Sequence, residues 1–123
     1  MKIINIAQIV AEQVVGPLSS LFTEPVTMQH IIDPEVSNNF QISQVNFGRG
    51  IRNKFHEHDS EQILIVTEGK GIVATDEEEV VVTTGDVIYI PANEKHWHGA
   101  TKDSTFSHLY IWAPGTKTTL LED

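Results

Sequence analysis

The chain alternates apolar and polar residues in short segments from about position 26 onward. The clearest segment runs from Phe40 to Phe47 and ends at the turn residues Gly48 to Gly50. Because successive side chains of a β-strand point to opposite faces, this pattern predicts a strand with one buried face. Further apolar or β-branched segments, each bounded by turn residues, lie at 62–67, 72–75, 80–83, 87–90 and 105–112. Short strands at this spacing favour an all-β barrel or sandwich over a fold built from βαβ units.

The turns and the N-terminal segment complete the predicted organisation. Glu68 to Gly71, Asp76 to Glu79 and Thr84 to Asp86 are predicted turns, and the acidic run at 76–79 is expected to be a solvated hairpin tip. The segment Ile6 to Val15 fits a short amphipathic helix, and an added strand nearly as well. We expect one domain over residues 1–123, with a barrel core at about 26–115 and an N-terminal extension at about 1–20.

Net charge, the length of apolar runs and the lack of cysteine restrict which partners and metal ligands the protein can have. The formal net charge is −9, from 17 acidic and 8 basic side chains, so the surface repels phosphate backbones and anionic lipid. We therefore expect no nucleic acid and no membrane partner. No apolar run approaches the roughly 18 residues that span a bilayer, and polar residues interrupt the apolar N-terminus, so a soluble, cytoplasmic protein is expected. The chain has no cysteine, which leaves histidine to carry any transition-metal site.

Candidate metal chemistry starts at a His-x-His pair. His56 and His58 are separated by one residue, and Gln62 follows four positions later. In an extended strand the two imidazoles point the same way, about 7 Å apart along the chain, so they can share one ion. A third histidine, His96, lies in a later segment.

Two spaced motifs resemble the signatures of the cupin superfamily. They are Gly50-x5-His56-x-His58-x3-Gln62-x6-Gly69 and Gly85-x5-Pro91-x-Asn93-x2-His96. Both have the family's spacing and order, and together the two motifs cover about residues 50–100. It implies a double-stranded β-helix, the jelly-roll barrel of that superfamily, with the two motifs on facing strands.

Three positions depart from the family pattern. Gln62 stands where the family usually has glutamate, and Ala100 stands where an asparagine usually closes the second motif. Asn93 replaces a glycine, and asparagine still tolerates a left-handed backbone. Only the change at Gln62 bears directly on the chemistry.

The resemblance implies a set of metal ligands. Carried over residue by residue, it assigns His56, His58, Gln62 and His96 to one divalent transition metal inside the barrel. Glu61 is the competing ligand if the register shifts by one residue. We favour Gln62 because it shares parity with the two histidines if the strand runs on. Imidazole ligands suit manganese, iron, nickel, copper or zinc, so the ligand types alone do not choose the ion.

The neutral amide of Gln62 changes the expected charge at the metal. With no carboxylate ligand, the site keeps the full charge of a divalent ion, which makes the ion a stronger Lewis acid. The same site offers less stabilisation to a trivalent ion. Lewis-acid chemistry is therefore favoured over redox cycling with dioxygen.

Two further histidines are candidate catalytic residues. His98 shares a face with His96 if the strand continues, and His108 lies on the last predicted strand, on the same side as Tyr110 and Trp112. A histidine beside a metal inside an apolar barrel is a candidate general base, and support of the ligands or simple packing is the alternative role.

The segments 94–100 and 107–109 narrow the resemblance to small single-domain bacterial cupins that include manganese-dependent hydroxynitrile lyases. This resemblance favours manganese and implies that His98 and His108 move a proton beside the metal. The expected function is a metal-dependent lyase acting on a small carbonyl or hydroxy compound. The alternatives are a metal-dependent dioxygenase at the same ligands and a non-catalytic cupin that binds a small ligand. A homodimer is expected, because the apolar N-terminal segment needs a surface against which to bury its face.

Overall fold

The structure is a computed structural model that describes all 123 residues. It consists of β-strands with two short 3-10 helices, at Ile6–Gln8 and Gly16–Leu21. The strands are β1 (Glu12–Gln13), β2 (Thr27–Ile32), β3 (Gln41–Phe47), β4 (His56–His58), β5 (Gln62–Ala74), β6 (Glu79–Thr83), β7 (Val87–Ile90), β8 (Trp97–Ala100), β9 (Phe106–Trp112) and β10 (Thr118–Leu120). The all-β prediction is confirmed.

Two groups of paired strands share the long strand β5. On one side the order is β1, β2, β3, β9 and β5, with β7 on the far edge of the N-terminal half of β5. The C-terminal half of β5 pairs instead with β6 and β8. Strand β4 pairs with β10, and isolated bridges join the segment 52–56 to residues 96 and 99. All the pairs of named strands are antiparallel, which agrees with a barrel closed by hairpins and long returns.

Strand β5 differs from the sequence prediction. The turn predicted at Glu68 to Gly71 is absent, and the predicted segments 62–67 and 72–75 form one strand that ends at Ala74. The register against β9 shifts between Val66 and Glu68, and Gly69 has a φ of 75°. A bulge next to a left-handed glycine bends a strand without ending it, so β5 passes from one group of strands to the other.

The two ends of the chain were the least predictable from sequence. The N-terminal segment, where helix and strand were both open, forms the 3-10 turn at Ile6–Gln8 and then the two-residue strand β1. Ile3, Val10 and Val15 in this segment are exposed, and the homodimer remains a prediction. The sequence pattern indicated no strand after Pro114, yet β10 forms there. No helix of the structure has the length and apolar character needed to cross a membrane.

The apolar core borders directly on the buried histidines. Twelve buried residues form one cluster, and the fully buried Leu64 of β5 and Phe106 of β9 belong to it. The Phe47 ring lies 5.7 Å from the His108 ring and 6.1 Å from the His98 ring, measured between centroids. The buried histidines thus border packed apolar side chains, where each polar atom needs a partner.

Gly69 generates a stability prediction with an internal control. A Cβ on Gly69 would collide with the backbone oxygen of Thr105, whereas a Cβ on Gly115, which also has a positive φ of 84°, meets nothing within 4 Å. We expect Gly115→Ala to lower the free energy of unfolding by about 1 kcal/mol, the cost of a left-handed alanine. Gly69→Ala should cost about 3 kcal/mol or more, because strand β9 must also move. Urea denaturation measures both; equal losses would contradict this account.

Candidate metal centre

Three histidines converge inside the barrel. His56 and His58 lie on β4 and His96 immediately precedes β8; all three are buried, and their candidate ligand atoms lie within 4.8 Å of one another. The backbones of His56 and His96 exchange two hydrogen bonds, N–H to oxygen, each with an N···O distance of 3.0 Å. This reciprocal bridge brings the two sequence motifs together on facing strands.

Each of the three rings is oriented by a hydrogen bond at Nδ1. His56 Nδ1 donates to the Lys54 carbonyl at 2.6 Å, and His96 Nδ1 donates to the Glu94 carbonyl at 2.8 Å. His58 Nδ1 lies 2.8 Å from the Thr118 hydroxyl on β10, to which it donates when Nε2 is the free nitrogen. These partners leave Nε2 of each ring as the electron-pair donor, the arrangement typical of metal-binding histidines.

Gln62, and not Glu61, faces the interior that contains the histidine cluster. Gln62 is 3% exposed, and its side-chain oxygen Oε1 is buried without a partner. Glu61 is exposed, and its carboxylate accepts a hydrogen bond of 2.6 Å from Tyr89. Residues 59–61 separate β4 from β5, so the strand is not continuous from His56 to Gln62 as predicted. Gln62 still faces inward, because a new strand, β5, begins at this residue.

The unpartnered atoms fit a bound cation. Nε2 of His58, Nε2 of His96 and Oε1 of Gln62 are buried and have no hydrogen-bond partner. Buried polar atoms in native proteins are nearly always satisfied, so these three need a ligand. Two imidazole nitrogens and an amide oxygen with free electron pairs match the donors that divalent transition metals accept.

Burial keeps the three imidazoles neutral. Burial first, and then charge repulsion from the neighbouring His96, lower the pKa of His56 to about 3 and that of His58 to about 4. Burial also lowers the pKa of His96. Since only the neutral ring can bind a metal, the site is in its binding form at neutral pH.

His98 and His108 form a second, fully hydrogen-bonded pair. His98 Nδ1 lies 3.0 Å from His108 Nε2, and His108 Nδ1 lies 3.1 Å from the Leu109 carbonyl. The Asn53 side-chain oxygen accepts from the His98 backbone N–H at 2.8 Å, so its NH₂ group faces the His98 ring, 3.2 Å from Nε2. These partners assign the tautomers: Asn53 donates to His98, His98 to His108 and His108 to the carbonyl. Burial lowers the pKa of His108 to about 4 and that of His98 well below its usual value.

One cavity of about 200 Å³ is lined by His56 and His58 of the cluster and by the pair His98 and His108, whereas His96 lines a separate pocket. Its apolar walls come from the N-terminal segment and the large sheet, and none of its residues is acidic, Lys or Arg. The lining residues are Leu18, Leu21, Phe22, Met28, His30, Gln41, Val45, Asn53, His56, His58, Gln62, His98, His108, Tyr110, Trp112 and Thr118. A wider, open groove of about 550 Å³ beside Gln13 and Glu68 contains no histidine and lies apart from this chemistry.

Comparison with known proteins shows the family. The model of the cupin domain matches residues 44–112, more than half of the chain. The chain belongs to the cupin family. The jelly-roll prediction is confirmed with it, and a solved cupin-like protein from Thermotoga maritima is 32% identical, with a TM-score of 0.81 over 91% of this chain and 87% of that one. The polyketide cyclase RemF from Streptomyces resistomycificus, at 22% identity and a TM-score of 0.81 over 100% of this chain and 88% of that one, shares the fold.

Two curated relatives match parts of the cupin chain. The (R)-mandelonitrile lyase of Granulicella tundricola is 39% identical over 70 residues, which are 56% of this chain and 53% of the lyase. The HTH-type transcriptional activator RhaR of Mannheimia succiniciproducens is 41% identical over 44 residues, 36% of this chain and 16% of that protein. The chain thus aligns with about half of the lyase and a small part of the activator.

Several residues of the site were not found from sequence. Asn53 lies within the first motif, but no spacing rule connects it to His98. Thr118 lies in a tail whose short Thr-Thr-Leu run was too weak to indicate a strand. Leu18 and Leu21 line the cavity, whereas the sequence predicts only an interaction surface for the N-terminal extension. Asn93 has a φ of 66°, which confirms that this asparagine serves in place of the family's glycine.

The Thr118 hydroxyl supplies a test of ligand positioning. Thr118→Val keeps the shape of the side chain and removes the partner of His58 Nδ1. We expect divalent metal affinity to fall by about 10-fold or more, the usual effect of losing such a partner. Thr118→Ser retains the hydroxyl and should stay close to the parent. Calorimetric titration with Zn²⁺ measures the affinity; equal values for the valine and serine variants would contradict the role.

The buried neutral histidines also predict a pH dependence of the metal-free protein. Their pKa values are lowered on folding, so below about pH 6.5 the unfolded chain binds protons that the folded chain does not. The free energy of unfolding should therefore be highest above about pH 6.5 and decline steadily as the pH falls toward about 4. His108→Gln removes one such group and should make the decline shallower. Thermal unfolding after EDTA treatment tests this, and an identical decline in the two proteins would refute the contribution of His108.

Proposed function

We propose that this cupin is a metal-dependent lyase that makes or breaks a bond beside the oxygen of a small carbonyl or hydroxy compound. The observation that carries the proposal is one cavity lined both by the cluster residues His58 and Gln62, whose ligand atoms are buried and unpartnered, and by the buried histidine pair. The partial match to a mandelonitrile lyase supports the same reaction class. The fold by itself does not, because one fold hosts many reactions.

The proposed ligands are His56, His58, Gln62 and His96, and the proposed ion is a divalent transition metal, with manganese favoured by the resemblance to manganese-dependent hydroxynitrile lyases. When bound, such an ion supplies Lewis-acid polarisation of a substrate oxygen. The chain contributes the orientation of the rings through their Nδ1 partners and a site without carboxylates. The neutral Gln62 leaves the positive charge of the site undiminished, which suits polarisation better than a change of oxidation state.

His98 and His108 are proposed to carry the proton. His98 lines the cavity, and its Nε2 atom receives only the 3.2 Å contact from Asn53. If that contact is released, Nε2 can accept a proton from the substrate while Nδ1 passes its own proton to His108 Nε2. The positive charge then rests on His108, where the Leu109 carbonyl accepts from Nδ1. The pair thus moves charge away from the metal ligands.

A specific observation favours a second candidate, a cupin that binds a small ligand without turnover. In the structure every ring nitrogen of His98 and His108 already has a partner, as in a purely structural pair. The short match to a transcriptional activator is compatible with a binding role. The cytoplasmic location and the homodimer remain predictions under either candidate.

The test combines metal analysis with one assay. We expect the purified protein to contain close to one divalent metal per chain and to release benzaldehyde from mandelonitrile without consuming dioxygen. Gln62→Glu retains an oxygen ligand but adds a negative charge, so it should keep the metal and lose about tenfold or more in kcat. His56→Ala serves as the variant that loses the metal and the activity together.

Other outcomes are equally informative. Turnover that requires dioxygen would replace the lyase with the dioxygenase. A metal-loaded protein with no turnover of mandelonitrile or other aldehyde adducts would establish the binding role. An absence of metal after reconstitution would refute the ligand assignment itself.

A further inference from the structure

Four buried side-chain atoms in this protein lack a hydrogen-bond partner, and a cation accounts for only three of them. His58 Nε2, His96 Nε2 and Gln62 Oε1 offer electron pairs. The fourth atom is Nε1 of Trp112, whose indole N–H only donates. A metal cannot satisfy a donor. The indole therefore needs an acceptor that the protein itself does not supply.

Trp112 contacts a histidine of the metal cluster and lines the cavity. It is the last residue of β9 and lines the cavity together with His108 and Tyr110 of the same strand. Its ring centroid is 4.8 Å from that of His58, edge to face, and 4.7 Å from that of Tyr110. The ring is thus held in place by aromatic contacts while its N–H remains unused.

We propose that the Trp112 indole N–H is a specificity-determining hydrogen-bond donor that binds a second acceptor group of the substrate. The proposal rests on the proposed function, because it places the substrate in the same cavity, and it narrows the substrate class. The compound has a carbonyl or hydroxyl oxygen for the histidine cluster and, near it, a neutral acceptor such as a nitrile or amide for Trp112. An apolar group of the same compound, aryl or branched alkyl, fills the rest of the cavity and contacts its apolar lining.

The form of the site favours a neutral acceptor over a carboxylate. A single indole N–H makes one hydrogen bond, whereas a carboxylate presents about four acceptor positions. The cavity lining contains no arginine or lysine to satisfy the others. A nitrile or amide acceptor beside Trp112 leaves far less charge without a partner in the apolar surroundings.

The two tryptophans of the chain make the inference directly observable. Trp97 and Trp112 give two indole ¹⁵N–¹H signals, and Trp112→Phe assigns them while keeping an aromatic ring at position 112. The experiment uses the 123-residue chain loaded with Zn²⁺ and titrated with mandelamide, with mandelate and with benzyl alcohol, which lacks the second acceptor. We expect mandelamide to move the Trp112 indole signal downfield and to leave the Trp97 signal in place.

Affinities provide the second readout. Trp112→Phe should weaken mandelamide binding about tenfold, the equivalent of one hydrogen bond, and change benzyl alcohol binding less than twofold. The Zn²⁺ content and affinity should match those of the parent protein. Mandelate should bind more weakly than mandelamide if the acceptor must be neutral.

Each contrary result overturns the inference. An unmoved Trp112 signal at saturation, equal weakening of the amide and the alcohol, or binding of neither would refute the donor role, and tighter binding of mandelate would refute the neutral acceptor. A signal that moves equally with all three compounds, benzyl alcohol included, would show that the N–H does not bind the second acceptor and would likewise refute the inference. Because these measurements need no turnover, a failed lyase assay leaves them interpretable, whereas failure to bind Zn²⁺ refutes the metal site instead.

Discussion

The pair of backbone hydrogen bonds between His56 and His96 is the interaction on which the site depends. Each residue donates its N–H to the carbonyl of the other, so two segments forty residues apart in sequence are fixed at bonding distance. The ring centroids of the two histidines consequently lie 4.3 Å apart. The carbonyls of Lys54 and Glu94, each two residues before its histidine, then orient the rings. Ligand geometry is therefore part of the sheet's own hydrogen bonding.

This arrangement places an unusual share of polar groups inside a small protein. Nine of the 24 buried residues are polar, and five of those are histidines. Burying them costs free energy unless each atom finds a partner, and the hydrogen bonds around His98 and His108 provide partners for that pair. Three of the four unpartnered atoms belong to residues that line one cavity, and the fourth belongs to His96 of the adjoining cluster. Groups that stabilise the fold are thus distinct from those left for a ligand. A function for the cavity follows from that division.

Local patterns predicted most of the strands but not how they are joined. The alternation at 41–47 and the run at 106–112 became β3 and β9, because one face of each contributes to the core. The predicted turn at 68–71 was wrong: glycine and charged residues indicate a turn locally, yet pairing with β9 and β6 continues through them. The expectation that Gln62 rather than Glu61 faces inward rested on a continuous strand that the structure interrupts. Gln62 is buried because β5 begins there, and its role as a ligand stays a prediction.

The sequence alone determined the family, the all-β architecture, and which histidines and amide were candidates for the metal, because strand periodicity and motif spacing are local properties. Only the tertiary structure decided which of their atoms have partners. Asn53, Thr118 and the N-terminal leucines join the site through contacts between segments far apart in sequence, and no periodicity records such contacts. The unused indole N–H of Trp112 is likewise visible only once every neighbour is in place, since a missing hydrogen bond is a property of the packed molecule.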